Sequence, residues 1–205
     1  KMSVLGQYIR SVREAGFSVL PPDINESKED FSASGDIIRL GLSAVAKVGQ
    51  SAVKNIIESR EKEGRFESFW DFFLKTDSRV VNRGGIENLI KSGAFDSLEK
   101  NRAKLLNALP SFLEYASKRC SDSNQCSLFD NVDDVVLDPV MEECEDFSVR
   151  EKLDFEKESM GLYISGHPYD NYFPLIRNYI NCTFSDLPLW QSGNQPVVSA
   201  GLLTS

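Results

Sequence analysis

The chain has 205 residues, 41% hydrophobic and 26% charged, which excludes a disordered tail and fits one or two globular domains. Its formal net charge of −8 averages two unlike halves: residues 1–120 carry 19 Lys and Arg against 16 Asp and Glu, and residues 121–205 carry 4 against 15. The acidic half is thereby excluded as a nucleic-acid footprint, and the first half qualifies only if its bases gather on one face.

In chain order, Ser3–Ala15 places Val4, Leu5, Tyr8, Ile9 and Val12 on one helical stripe, with Gly16 suited to the stop. Pro21-Pro22 interrupts the chain, and the runs at Phe31 and Ile37 flank Gly35-Asp36 as a small β-hairpin. After Gly49, a tight turn, Ala52, Val53, Ile56, Ile57 and Arg60 follow at helical spacing. Phe66–Leu74 is a short aromatic-rich helix, with Ser68 and Asp71 at capping-box spacing. Ile86–Lys91 is another helix, closed by Gly93. Asn101–Lys118 is a long helix with the stripe Leu105, Leu106, Leu109, Phe112, Leu113 and Ala116, and Pro110 marks a kink. Residues 120–150 read as an acidic linker, Phe147–Ile164 as a helix, and 183–205 as short strands. The expected fold is mainly α, with a small β-hairpin ahead of a helical bundle and a few strands at the C-terminus. No apolar run has membrane-span length, and no signal peptide is visible. Cys120, Cys126, Cys144 and Cys182 form no CxxC pair and read as free thiols of a reducing cytoplasm. The ends, Lys1 and Gly201-Leu-Leu-Thr-Ser, read as those of a piece cut from something larger.

A weak internal repeat relates Val48-Gly-Gln-Ser-Ala-Val-Lys-Asn-Ile-Ile to Leu98-Glu-Lys-Asn-Arg-Ala-Lys-Leu-Leu, with one residue of slip. Each unit is a turn between a short helix and a longer one, and this resembles the helix-hairpin-helix, which grips one phosphate of duplex DNA. That chemistry needs a glycine for close backbone approach, free amides at the start of the second helix, and a nearby cation. In the first copy Val48 is the apolar pin, Gly49, Gln50 and Ser51 supply amides, and Lys47 and Lys54 supply charge. In the second copy Leu98 is the pin, and Lys100, Asn101, Arg102 and Lys104 surround the turn. Such contacts touch phosphates and ignore base sequence. The alternative is an ordinary helical hairpin with a glycine turn.

Gln125-Cys126-Ser127-Leu128-Phe129 sets a Leu-Phe pair in a polar, acidic stretch. Short docking motifs bury two apolar anchors while a polar side chain sets the register. Gln125, Ser127, Leu128 and Phe129 resemble the peptide by which bacterial replication proteins dock on the sliding clamp. The alternative is a loop that folds Leu128-Phe129 onto its own core.

Four blocks make the resemblance specific: Gly16-Phe-Ser-Val-Leu-Pro-Pro-Asp-Ile-Asn-Glu-Ser, Ile38-Arg-Leu-Gly-Leu-Ser-Ala-Val, Ile86-Glu-Asn-Leu-Ile-Lys-Ser-Gly-Ala-Phe-Asp-Ser-Leu and Glu156-Lys-Glu-Ser-Met-Gly-Leu-Tyr-Ile-Ser-Gly-His-Pro. In this order they resemble the α subunit of bacterial DNA polymerase III, the C-family replicases. The resemblance implies the end of the fingers at 1–42, a tandem helix-hairpin-helix at 43–120, an acidic linker with the clamp peptide at 121–150, and a connector helix with the start of an OB domain at 151–205. It implies duplex primer–template, the β sliding clamp and other polymerase III holoenzyme subunits as partners, and a cytoplasmic protein with no membrane contact. The chain departs from the family where Lys47 replaces a usual glycine and Glu99 a frequent one. Glu99 puts negative charge at the second hairpin, which makes that copy the weaker candidate for DNA.

No catalysis is expected in this chain. Polymerase chemistry needs clustered carboxylates holding two metal ions, and in this family those acids and their Mg2+ belong to the palm, N-terminal to this stretch. Asp133-Asp134 and Glu142-Glu143 read as solvated loop acids, and His167, the single histidine, as a turn residue without ligand partners. No metal or cofactor is expected here. Two readings stay open: a DNA- and clamp-binding segment, and a structural connector between domains whose hairpins no longer grip DNA.

Overall fold

In the computed structural model, which describes residues 2–77, 79–122, 139–166, 168, 172–182 and 196–200, the first helix, α1, spans Met2–Glu14. It stops before Gly16, whose φ of +91° is a conformation that side chains oppose. Ile9 is buried while Tyr8, assigned to the same stripe, stands exposed. The Arg13 guanidinium donates to the carbonyl of Ile164, tying α1 to the far end of the same compact unit.

The expected hairpin is present but belongs to a larger sheet. Strands β1 (Ser18–Leu20), β2 (Ser32–Ser34) and β3 (Ile37–Arg39) lie in the order β1-β3-β2. β2 and β3 pair antiparallel around Gly35, and β1 pairs parallel to β3, with Val19 opposite Ile38. Three residues ahead of two prolines carry no readable period, so β1 was not legible. Beyond β3, Leu40 and Leu42 are fully buried, and Gly41 between them crosses the backbone of Glu29-Asp30 so closely that a Cβ would stand 2.7 Å from the Asp30 Cα. That crossing is where glycine is obligatory.

A single 3-10 turn, Leu42–Ala44, leads to α2 (Gln50–Glu63). Arg60 docks the end of α2 by donating to the carbonyls of Ile24 and Ser27, and burial lowers its pKa from the ordinary value. Helix α3 (Phe69–Lys75) is capped by Ser68, whose Oγ accepts from the Asp71 amide at 3.0 Å. The capping box is only half formed. Asp71, one methylene shorter than Glu, accepts from the Glu67 amide at 2.9 Å instead of reaching back to Ser68. Helix α4 (Arg83–Lys91) begins three residues before the expected Ile86, because Asn82 caps it by accepting from the Gly85 amide at 2.8 Å.

Helix α5 (Arg102–Asp122) carries Pro110 inside it and buries Leu105, Ala108, Leu109, Phe112 and Ala116. Helix α6 (Val149–Met160) opens on a complete Ser148/Glu151 capping box and ends at Gly161 in the left-handed conformation. The core lies where α3, α5 and the turn after α4 meet. The Phe69 and Phe72 rings sit 5.1 and 5.0 Å from Phe95, edge-on, and Phe112 lies 5.1 Å from Phe69. Each buried ring contributes about 1.5–3 kcal/mol by leaving water.

Residues 165–205 form a second compact unit. It holds the short helix α7 (Phe173–Ile176) and a contact in which the Asn181 amide donates to the Val198 carbonyl and the Val198 amide donates to Asn181 Oδ1. Of the strands expected in 183–205, residues 196–200 are in no assigned strand, and 183–195 and 201–205 lie outside the described residues. The architecture is mainly α with a small sheet.

Candidate nucleic-acid interface

The first hairpin turns at Lys47, whose φ of +63° places it, alone of the described non-glycine residues, in the left-handed region. This is the position at which the family resemblance expects glycine. The turn rests on the start of α4: a Cβ on Gly85 would stand 3.2 Å from the Lys47 carbonyl oxygen, so the Gly84-Gly85 pair admits it. From behind, the Ala46 amide donates to the carbonyl of Ser159 in α6 at 2.8 Å. Val48 packs partly buried against the core, as the pin role requires.

Gly49 is the N-cap of α2, with φ −72° and ψ 158°, a conformation open to any residue. Of the two reasons expected for glycine here, a steric clash within the fold and close approach of a phosphate, this geometry removes the first. The nearest atom to a Cβ added at Gly49 would be Ser51 Oγ, at 3.9 Å. Unlike the starts of α3, α4 and α6, this helix start has no side-chain cap. Among the described residues, no hydrogen bond occupies the amides of Gly49, Gln50 or Ser51. The orphan amides and the positive end of the helix dipole therefore face solvent. Lys47, Gln50, Ser51 and Lys54 are exposed, and neither lysine takes part in an ion pair among the described residues. One acid borders the cradle: Glu29 accepts from the Gln50 side chain at 3.0 Å.

The second hairpin has the same outline, but most of its polar groups are engaged within the fold. Leu98 is partly buried, as expected of a pin, but it stands three residues before the cap Asn101, whereas Val48 stands one before Gly49. The slip between copies is thus two residues, not one. Asn101 Oδ1 accepts from the Lys104 amide at 2.9 Å, and Glu99 accepts from the Asn101 amide at 3.0 Å. Asp146 accepts from the Ala103 amide at 3.4 Å.

Arg102 and Lys104 are corrected as free charges. Arg102 is buried, holds Asp96 through two bonds of 2.9 and 2.7 Å, donates to the Lys91 carbonyl at 3.0 Å, and lies 3.9 Å from the fully buried Glu156 of α6. Gly93 makes room for it: φ is +84°, and a Cβ there would collide with the guanidinium. Lys104 pairs with Glu143, and with Glu99 at 3.5 Å; the bond to Glu143 raises the pKa of Lys104. Asn101 spends its side-chain amide on the Cys144 carbonyl at 2.6 Å. Lys100 alone of the four is exposed with its ammonium outside any ion pair among the described residues. A repeat in sequence could not show this, because every partner comes from residues 91–99 or 143–156.

Gln125, Ser127, Leu128, Phe129 and His167 lie outside the described residues. Among the described residues no group of His, Cys, Asp and Glu side chains could hold a metal ion, and no helix is long and apolar enough to cross a membrane.

Residues 16–105 match the family model described as a helix-hairpin-helix motif. Fold, turn geometry and this match define a helix-hairpin-helix protein. The relatives narrow that class. The DNA polymerase III subunit alpha of Deinococcus radiodurans is 38% identical over 191 residues, covering 91% of this chain and 14% of that protein. Its counterpart in Thermus aquaticus is 38% identical over 185 residues, 89% of this chain and 15% of the relative. That of Saccharopolyspora erythraea is 35% identical across 100% of this chain and 18% of the relative. The chain belongs to the DNA polymerase III α-subunit family and corresponds to one segment of it.

Proposed function

We propose that this chain is the segment of a replicative polymerase that holds duplex DNA without regard to sequence through its first hairpin, and that Gln125–Phe129 docks on the sliding clamp. The observation that carries the DNA reading is the start of α2 without a side-chain cap, with Lys47 and Lys54 exposed beside it and in no ion pair among the described residues. The clamp reading rests on the Gln-x-Ser-Leu-Phe pattern and on the family. DNA and clamp contacts on one chain act as linked sites, each raising the effective concentration of the other partner, which is how such a segment supports processive replication. The whole protein is then a DNA-directed DNA polymerase, a nucleotidyltransferase working in the cytoplasm with the other holoenzyme subunits. Its catalytic carboxylates and Mg2+ lie in a part of the polymerase that this segment does not include. A second reading, a structural connector, draws on the second hairpin, whose polar groups are spent inside the fold.

Titration with duplex DNA in a salt series separates the two. Affinity should fall with salt at a log–log slope of about −0.9 per phosphate neutralised. Lys47→Glu with Lys54→Glu should weaken binding at least about tenfold at low salt and leave the helical signal unchanged. Gly49→Val should weaken it by more than the modest loss of melting temperature from a poorer N-cap explains, because a branched side chain would stand where the phosphate approaches. Binding indifferent to salt and to these substitutions would leave the connector reading. For the clamp, Leu128→Ala with Phe129→Ala should cost at least about a hundredfold in affinity with an unchanged melt. A lowered melt with clamp binding intact would place the pair in the protein's own core.

A further inference from the structure

We infer that the acidic segment Glu143–Asp146 is a built-in strap that occupies the phosphate cradle of the second hairpin and keeps it from nucleic acid until displaced. The inference rests on the reading of the hairpins as phosphate contacts. At the start of α5 three of the groups that a phosphate would use already have partners from this segment, while Asn101 itself caps the Lys104 amide and Lys100 stays exposed. The Ala103 amide donates to Asp146 Oδ1, the Asn101 side chain donates to the Cys144 carbonyl at 2.6 Å, and the Lys104 ammonium pairs with Glu143. A carboxylate on a helix-start amide beside a lysine reproduces the charge and acceptor geometry by which that site would take a phosphate oxygen.

The strap is itself anchored. Asp146 also accepts from the Phe147 amide at 2.8 Å and pairs with Lys152 at the start of α6. Burial opposes its charge, but these bonds prevail and hold its carboxyl below the ordinary value. Its grip is uneven, which is what makes it displaceable. Glu143 is 83% exposed, and an exposed ion pair contributes little. Nothing comparable covers α2 among the described residues, and its amides and lysines stay open. The two hairpins are therefore one open and one closed version of the same device. The closed one adds a phosphate contact when residues 143–146 move aside.

The test is duplex binding by the intact chain, read by fluorescence anisotropy across a salt series. Glu143→Gln with Asp146→Asn opens the strap. Glu142→Gln with Glu145→Gln makes the same change in net charge at neighbouring residues. The strap-opening pair should raise affinity at least about fivefold more than its control and steepen the salt slope by about 0.9, one phosphate. Lys104→Ala should erase that gain in the opened chain and change little in the native one. Equal gains in the two acid pairs, a gain that survives Lys104→Ala, or no gain overturns the strap. Should Asp146→Asn lower the helical signal, Glu143→Gln alone serves in its place, since Glu143 is exposed and supports little of the fold. Lys47→Glu with Lys54→Glu, run in parallel, separates the two ideas. Loss of native binding there with no gain on opening overturns the strap alone, and indifference to that pair overturns the reading of the first hairpin.

Discussion

The starts of α2 and α5 are built to one plan and differ in who supplies the acceptors. At α2 the cap is a glycine, the flanking lysines point to solvent, and no side chain caps the first turn. At α5 the cap is Asn101, the bases are Arg102 and Lys104, and Glu99, Asp96 and Glu143 meet them, while Asp146 accepts from the Ala103 amide. The comparison teaches that a phosphate-binding outline is a property of the backbone, while its availability depends on where neighbouring chain runs. Bases gathered around a turn therefore do not by themselves make a binding surface. Arg102 is the clearest instance, a candidate DNA contact that instead joins α4, the following turn, α5 and α6.

The largest expected effect tests that contrast directly. Arg102→Ala removes the cation that binds Asp96 and lies 3.9 Å from the buried Glu156, and should cost about 3–5 kcal/mol in a urea unfolding titration. Lys54→Ala, an exposed residue of the open hairpin, should stay within about 0.5 kcal/mol. If both substitutions cost alike, the two hairpins are not used differently. Gly93→Ala should come next, at about 1–3 kcal/mol, since it combines a left-handed φ with a collision against Arg102.

Acid should remove the hold of Asp146 on the strap only once the pH falls below the ordinary carboxylate range. The Asp146 carboxyl is held below its ordinary value, so its contribution is present above about pH 4 and is lost as the pH falls below it. The melting-temperature gap between the native chain and Asp146→Asn should accordingly close on going from neutral pH toward about pH 3; a gap that widens would contradict the pairing with Lys152. The smallest effect sharpens the comparison most. Gly49→Asn copies the cap of the closed hairpin onto the open one. It should leave stability unchanged or raise it by about 0.5 kcal/mol, because Asn caps slightly better than Gly. It should also weaken duplex binding, because the new side chain takes the amide meant for phosphate. A cap that strengthens binding would rule out a phosphate there.

Much of this protein is written locally. Helix periodicity, the Ser68 cap and the stops at Gly16 and Gly93 depend on residues within one or two turns of one another, so the sequence by itself determined most of the helices and the hairpin outline; the helix expected over Phe147–Ile164 instead runs Val149–Met160, stopped by the left-handed Gly161. The pins Val48 and Leu98 were legible for the same reason, since apolar side chains beside a turn have one place to go. The three-residue β1 was not, because its pairing partner β3 lies nearly twenty residues away and a strand that short has no period. The early start of α4 was hidden as well: Arg83-Gly-Gly is a poor helix former, and the glycines are there to admit the Lys47 turn. Only the tertiary structure decided which hairpin faces outward. Charge on Lys104 and Arg102 is visible in the sequence, as are Asp96 and Glu99 nearby, but Glu143 and Glu156 stand far downstream, and ion pairing depends on distance in space.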